Sequence, residues 1–265
     1  MPESRYIIRG GLEGRERLRT LSRVLRPTTR PFLDRAGVRV GARCLDAGCG
    51  GGDVTIELAA IVGAGGSVLG IDIDDLKLEI AREEAREADV KNVTYECLSI
   101  DDISGANLDA VYARFLLSHL PDPEGTLDRM RTLTRVGGVV AVEDVDFTGS
   151  YCYPENAAFA RYCDLYTQAA HARGADPNIG RRLPQMFVDA GLAEIDVSVV
   201  QPTGFDPEVK RVTVLTLENI ADAVVDVGLA TRPEVNELVG QLAAFAAEPT
   251  SVLSFPRIVQ VAGTV

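Results

Sequence analysis

The sequence is poor in histidine, in tryptophan and in basic residues for its length. Its 265 residues include two histidines and no tryptophan, and 27 Lys and Arg stand against 39 Asp and Glu, for a net charge of -12. Nucleic acids and anionic membranes are bound by clustered cations, so an acid excess disfavours both. We therefore expect neither a nucleic acid nor a membrane as partner.

Long apolar runs and paired cysteines are also missing. The run Val136–Val142 is far shorter than the about 20 residues of a membrane span. Residues 1–14 carry charges and glycines instead of an apolar secretion signal. The five cysteines contain no C-x-x-C pair, which argues against zinc and disulfide frameworks. We expect reduced thiols, no bound metal and a cytoplasmic protein.

Arginine is concentrated near the start of the chain, where seven of these residues lie between positions 15 and 35. Their near-helical spacing is typical of a solvated helix face whose cations pair with acids, and a nucleic-acid patch is the less favoured alternative. Residues 12–26 form an amphipathic pattern. Pro27 can open a second, shorter helix that ends near Gly37.

Apolar runs of strand length alternate with helical patterns through the first part of the chain. The predicted strands are Arg43–Ala47, Ser67–Ile71, Val93–Cys97, Asp109–Ala113 and Val139–Glu143. Such alternation predicts an α/β, Rossmann-like fold with a seven-stranded, mostly parallel sheet and helices on both faces. Ligands of these sheets bind beyond the carboxyl ends of the strands.

The rest of the chain is richer in helical patterns, which predict a helical cap over the sheet. We expect a single domain over residues 1–265, with no independent second domain. Its predicted parts are N-terminal helices at 1–37, a cofactor-binding core at 38–150, cap insertions at 151–191 and 205–250, and final strands at 192–200 and 254–263.

A glycine-rich segment follows the first predicted strand. Leu45–Gly52 reads LDAGCGGG, an acid at a strand end followed by G-x-G-x-G, and glycines let a ligand approach the backbone closely. A dinucleotide fingerprint needs a further glycine where this chain has Asp53. Asp53 at the helix start would also repel a pyrophosphate. A phosphate-free ligand that carries an amino group and a sulfonium fits better, and a nicotinamide oxidoreductase is less favoured.

A second strand-end acid stands 26 residues later, at Asp72 in Gly70–Ile73. That distance corresponds to one strand–helix–strand unit, and a carboxylate there can accept both hydroxyls of a ribose. Helix capping is the alternative role for Asp72, but Asp74 and Asp75 already supply a cap.

These motifs resemble those of class I S-adenosylmethionine-dependent methyltransferases. Leu45–Gly52 is similar to their glycine-rich motif, and Tyr112–Pro123 is similar to the strand-four segment of the ubiquinone-biosynthesis-like group. The resemblance implies S-adenosylmethionine as cofactor and methyl transfer to oxygen, nitrogen or carbon of a small, partly apolar metabolite. A cyclase-like enzyme or a sensor that binds the cofactor without methyl transfer is the alternative from another class.

The resemblance also implies which residues hold the cofactor. The acid of the glycine loop holds the amino group, the strand-two acid the ribose, and the residue after it packs on adenine. The usual Gly-Asp-Ala after strand three is absent, so that a serine takes the place of the acid that accepts from adenine, and Asp101 or Asp102 is the alternative acceptor. The implied cofactor-binding positions are Tyr6, Asp46, Gly48, Cys49, Gly50, Asp72, Ile73, Ser99, Ile100 and Arg114.

Candidates for a catalytic base are few. Methyl transfer from a sulfonium mainly needs alignment and the exclusion of water, and a base assists when the acceptor carries a proton. His119 follows strand four, Glu143 ends strand five and His171 lies on a cap helix, so each is a candidate. His119 could instead organise the turn before Pro121. For Arg114, the alternative to a role at the cofactor is an ion pair with a neighbouring acid such as Asp144.

Overall fold

A seven-stranded sheet forms the centre of the molecule. The computed structural model describes residues 11–105 and 107–265, so the predicted cofactor contact of Tyr6 lies outside the described residues. The strands of the sheet are β1 (Arg43–Ala47), β2 (Ser67–Asp72), β3 (Val93–Cys97), β4 (Leu108–Arg114), β5 (Thr134–Asp146), β7 (Ala193–Val200) and β10 (Arg257–Thr264).

Their order is β3-β2-β1-β4-β5-β10-β7, and β10 runs antiparallel to both of its neighbours while the others are parallel. The chain order reverses between β1 and β4, which is where such sheets bind ligands. The predicted fold class is confirmed.

Eight helices surround this sheet in the described part of the chain. They are α1 (Gly11–Ala36), α2 (Asp53–Val62), α3 (Asp75–Glu87), α4 (Pro123–Leu133), α5 (Ala157–Ala172), α6 (Leu183–Asp189), α7 (Pro207–Asp226) and α8 (Arg232–Ala247). Asp74 caps α3 by accepting a hydrogen bond from the Lys77 amide. This leaves the carboxylate of Asp72 available for another role.

The N-terminal segment is one helix, and the prediction of two helices meeting at Pro27 is wrong. Both Pro27 and Pro31 lie inside α1. Leu25, before the first proline, and Phe32, between the second proline and the helix end, are both fully buried. Burial on both sides of Pro27 holds the segment helical against the about 3 kcal/mol penalty of an interior proline.

Six of the seven arginines of α1 pair with acids on four other elements, as the sequence predicts. Arg15 and Arg19 contact Glu84 of α3, and Arg23 contacts Glu208 of α7. The remaining partners are Glu57 for Arg26 and Arg30, and Asp196 for Arg35. These ion pairs attach α1 to α2, α3, α7 and β7.

The cap is smaller than predicted. α5, α7 and α8 share one apolar cluster, but α6 packs on the sheet, where Leu183, Met186 and Phe187 meet Val259 and Val261. A three-stranded sheet in the order β6-β9-β8 adds to the cap side, and no sequence pattern predicted it. Its strands are β6 (Cys152–Tyr153), β8 (Thr203–Gly204) and β9 (Val252–Ser254).

Candidate active site

A cavity of about 1010 Å³ opens at the carboxyl ends of β1, β2 and β4. Its floor is the sheet edge and the glycine-rich loop, and its roof comes from α1, α5 and α7. The volume lies at the upper end of the range for ligand-binding clefts. It can hold a nucleoside-sized cofactor and a second small molecule together.

The glycine-rich loop turns sharply beneath this cavity. Gly48, Gly50 and Gly52 have φ angles of 69°, 55° and 80°, which favour glycine. The Cys49 amide donates to the Ile71 carbonyl at 2.8 Å, which ties the loop to β2. A Cβ on Gly48 would lie 2.9 Å from a methyl carbon of Leu116, so the loop needs glycine for space as well as for conformation.

The first strand-end acid is almost completely enclosed. Asp46 is 2% exposed and lines the cavity. Its Oδ2 accepts a 2.7 Å hydrogen bond from the Thr55 hydroxyl. Burial raises the pKa of this carboxyl to about 7, although the bond from Thr55 and the charge of Arg114 oppose the rise. A cationic ligand would be drawn to this carboxylate and would stabilise its ionised form.

The second strand-end acid fastens the loop from the other side. Asp72 Oδ2 accepts from the Gly50 amide and Oδ1 from the Asp74 amide, each at 3.0 Å. A carboxylate oxygen has room for more than one hydrogen bond, so both oxygens retain capacity for ligand hydroxyls. Asp72 therefore orders the loop and lines the cavity at once.

The rim beyond β2 and β3 offers an apolar platform. Ile73 is 80% exposed although its side chain is apolar, and it lines the cavity together with Leu98 and Ile100. Ser99 lines the cavity too, but its hydroxyl caps the short turn Ile100–Asp102. Because that hydroxyl already accepts from the Asp101 amide at 3.4 Å, it offers a ligand only part of its capacity.

Arg114 is the last residue of β4 and lines the cavity. Its Nη1 donates to the Thr29 hydroxyl at 3.4 Å, and its charge acts on Asp46 and Asp53 across the cavity. The alternative ion pair with Asp144 is wrong, since Asp144 is fully buried and accepts from the Ser118 and Val145 amides at 3.0 and 2.9 Å. Arg114 thus remains directed to the cavity end where the strand-end acids lie.

Of the three candidate bases, the structure places only His119 at the cavity. Burial lowers the pKa of its imidazole to about 3, and the charges of Arg17 and Lys77 add to this effect. The side chain is therefore neutral at pH 7 and can accept a hydrogen bond, whereas its lowered pKa makes it a weak base.

Glu143 and His171 are corrected by the structure, which puts neither at the cavity wall. Glu143 is fully buried, accepts from the Tyr112 hydroxyl at 2.5 Å and from Gln260 Nε2 at 2.7 Å, and links β4, β5 and β10. His171 is exposed near the end of α5. The end of the predicted strand indicated a position at the rim for Glu143. Its side chain is instead held inside the fold by hydrogen bonds from β4 and β10.

Apolar and aromatic side chains line much of the cavity away from the glycine-rich loop. Local sequence motifs do not identify all of these residues. The rings of Phe147 and Tyr166 stack with centroids 3.9 Å apart and planes within 10°. Opposite elements contribute Arg17, Thr216 and Phe255. These three come from α1, α7 and the segment before β10, so no local motif could have joined them.

Neither a cluster of metal ligands nor a membrane-spanning helix occurs in the part of the chain that the structure describes. Among residues 11–105 and 107–265, no three side chains of His, Cys, Asp or Glu are grouped as a metal site. None of the helices described is both long and apolar enough to cross a membrane.

Comparison with known proteins identifies the family. A family described as a methyltransferase domain matches residues 39–191. The ubiquinone biosynthesis O-methyltransferase of Chromobacterium violaceum is 34% identical over 119 residues, 44% of this chain and 50% of that protein. The protein of the same name from Acinetobacter baumannii is 33% identical over 110 residues, 40% and 45%. The chain thus spans about half the length of the curated relatives that it matches.

Solved structures support the fold. A phosphoethanolamine N-methyltransferase 2 of Haemonchus contortus, in complex with S-adenosyl-L-methionine, gives a TM-score of 0.55 at 18% identity, over 88% of this chain and 51% of that one. A geranyl diphosphate methyltransferase gives 0.52 at 17%, over 88% and 83%. Because the family match covers more than half of the chain and its motifs surround one cavity, the chain belongs to the methyltransferase-domain family, in its class I, S-adenosylmethionine-dependent form.

Proposed function

We propose that the whole protein transfers the methyl group of S-adenosylmethionine to oxygen, nitrogen or carbon of a small, partly apolar metabolite. The observation that carries the proposal is the continuity of one cavity from the glycine loop to the apolar wall. The names of the relatives, which are methyltransferases of small molecules, support the same activity.

The residues at the loop end fit this cofactor. Asp46 suits the amino group, Asp72 suits the ribose hydroxyls, and the exposed face of Ile73 suits the adenine ring. The loop backbone is open at Gly50, where an added Cβ would meet nothing within 4 Å, so a ligand can approach it closely. Bound there, the cofactor supplies an electrophilic methyl group on a sulfonium.

The chain itself contributes alignment and the exclusion of water. The roof of α1, α5 and α7 encloses the acceptor, and in-line displacement depends chiefly on such placement. His119 is neutral and lies at the wall, so it can accept a hydrogen bond from an acceptor hydroxyl or amine and orient it, whereas a pKa of about 3 makes it a weak base.

Calorimetric titration with S-adenosylmethionine tests the cofactor site. Asp72→Ala should weaken binding by about 2 kcal/mol or more, because ribose contacts and the bond to the Gly50 amide are lost together. Asp128→Ala, which removes an exposed acid on α4, is the matched control and should bind like the wild type. Equal affinities for the wild type and Asp72→Ala would remove Asp72 from the site.

Formation of S-adenosylhomocysteine with candidate acceptors tests transfer itself. Tight cofactor binding without turnover of any acceptor would instead favour the non-methylating alternative.

We also propose a cytoplasmic protein that does not bind nucleic acid, with a homodimer as a further expectation. The free cysteines and the paired arginines of α1 support the first two statements. Sedimentation velocity measures the dimer, and a gel-shift assay with mixed oligonucleotides measures nucleic-acid binding.

A further inference from the structure

Arg17 differs from the other described arginines of α1. Its side chain is only 9% exposed and lines the cavity, whereas its neighbours reach acids on the outer surface. Its Nε donates to the Thr216 hydroxyl at 3.0 Å. Within the part of the chain that the structure describes, no carboxylate lies within salt-bridge distance of this guanidinium.

A buried cation without an anion is costly, because desolvation is not offset by a partner. The acids of the cavity stand at the glycine-loop end, where Arg114 acts on them. The charge of Arg17 acts on other groups, since it lowers the pKa of His119 and opposes the rise at Tyr162. Its guanidinium therefore bridges α1 and α7 through the hydrogen bond to Thr216, close enough to His119 and Tyr162 to act on both.

The surroundings restrict what could neutralise this charge. Val212, which lies one turn before Thr216 on α7, Phe147 and Tyr166 add apolar surface to the same cavity, and the Lys77 ammonium, which also lines it, lies 3.8 Å from the Asp74 carboxylate. The fixed fork of a guanidinium matches the two oxygens of a carboxylate. A single such fork is suited to one negative charge, and the Thr216 hydroxyl fixes the orientation of its Nε side.

We propose that the acceptor substrate is a small, largely apolar carboxylic acid whose carboxylate is bound by Arg17. This inference rests on the proposed function and specifies its substrate class. Thr216 is the positioning residue, and His119 then faces the substrate close to its anionic end.

Pairs of probe molecules test the proposal. Each pair is a carboxylic acid and its amide, which has the same shape without the charge: phenylacetate, cinnamate and octanoate with their carboxamides. Binding is measured by calorimetry in the presence of saturating S-adenosylhomocysteine. We expect the wild type to prefer at least one acid over its amide by about tenfold or more, the ratio for a lost charge-assisted hydrogen bond.

Arg17→Gln should abolish this preference and leave the affinities for the amide and for S-adenosylmethionine unchanged. Arg17→Lys should retain part of it, and Arg19→Gln, which removes an outward-facing arginine of the same helix, should retain all of it. Circular dichroism confirms that each variant is folded.

Three results would overturn the proposal: no acid preferred over its amide, a preference that survives Arg17→Gln, or weaker binding of S-adenosylmethionine by Arg17→Gln while its decarboxylated analogue binds unchanged. The last result would assign the guanidinium to the carboxylate of the cofactor. A wild type that binds no S-adenosylmethionine would instead contradict the proposed function.

Discussion

At the residue scale, Asp46 combines deep burial with its proposed role in binding the amino group of the cofactor. Because burial raises its pKa to about 7, the carboxyl is largely protonated at pH 6 and largely ionised at pH 8. We expect the affinity for S-adenosylmethionine to rise by up to about tenfold between these values. Calorimetry over that range measures the slope.

Asp46→Asn is the control for this prediction, since the amide keeps the shape and cannot titrate. The amino group of the cofactor titrates equally in both proteins, so the ratio of their affinities isolates Asp46. A ratio independent of pH would contradict the prediction.

His119 links acidity to stability, because burial holds its imidazole neutral. Its pKa in the folded protein, about 3, lies below the value of 6.5 for an unperturbed histidine. The unfolded chain therefore binds the extra proton first, and the stabilisation by neutral His119 is complete above pH 6.5 and is lost as pH falls towards 3. We expect the stability advantage of the wild type over His119→Gln to shrink between pH 7 and pH 4.

Urea denaturation at several pH values gives that difference. Since the chain has two histidines, His171→Gln leaves a single imidazole signal for an NMR titration. Protonation of that signal near pH 6.5 would show that His119 is not held neutral.

Gly52 shows how strongly the loop depends on a missing side chain. Its φ is 80°, and a Cβ would lie 2.6 Å from the Tyr95 hydroxyl oxygen and 2.8 Å from Ala81 Cβ. Gly52→Ala should cost about 2–4 kcal/mol of unfolding free energy, from the left-handed conformation and the overpacking together. Denaturant unfolding measures the loss.

Gly240 is the matched control for Gly52, because an added side chain there should raise the free energy of unfolding instead of lowering it. It is exposed inside α8, and a Cβ there meets nothing within 4 Å. Gly240→Ala should stabilise the protein by up to about 1 kcal/mol through helix propensity. Equal effects at the two glycines would mean that Gly52 is not constrained as described.

At the scale of elements, the middle of the sheet is joined by one buried carboxylate. Glu143 accepts from Tyr112 on β4 and from Gln260 on β10. Tyr112→Phe leaves this carboxylate with fewer donors and should cost about 1–3 kcal/mol. Its effect on the affinity for S-adenosylmethionine should be small, because Glu143 is not at the cavity wall.

Tyr95→Phe is the control, since the Tyr95 hydroxyl is buried and has no hydrogen-bond partner among the residues that the structure describes. Removing this hydroxyl should leave the free energy of unfolding almost unchanged. A larger loss for Tyr95→Phe than for Tyr112→Phe in urea denaturation would refute the role given to Glu143.

The sequence predicted those elements that local rules control. Glycine spacing at Gly48–Gly52 and the acid at Asp72 both follow from the demands of one turn and one strand end. The prediction of two helices in place of α1 is wrong because the rule that proline ends a helix is local, whereas the burial of Phe32 depends on distant parts of the chain. Arg17 and Thr216 stand 199 residues apart, so only the packing of α1 against α7 brings them together.

At the scale of the whole molecule, the cavity joins parts of the chain that are distant in sequence. Its walls include α1, the loop after β1, the end of β4, and α7. A ligand that binds only the folded state stabilises all of them together. At a concentration of 100 times its Kd, S-adenosylmethionine should add about 2.7 kcal/mol.

A thermal scan is the direct measurement, with an expected gain of about 2–4 °C per kcal/mol for domains near this size. Asp72→Ala should show a clearly smaller gain at the same cofactor concentration, whereas Asp128→Ala should match the wild type. The gain must also grow with the logarithm of cofactor concentration, because linkage is a mass-action effect. An upward shift of equal size in Asp72→Ala would mean that the cofactor binds the fold without using the strand-end carboxylate.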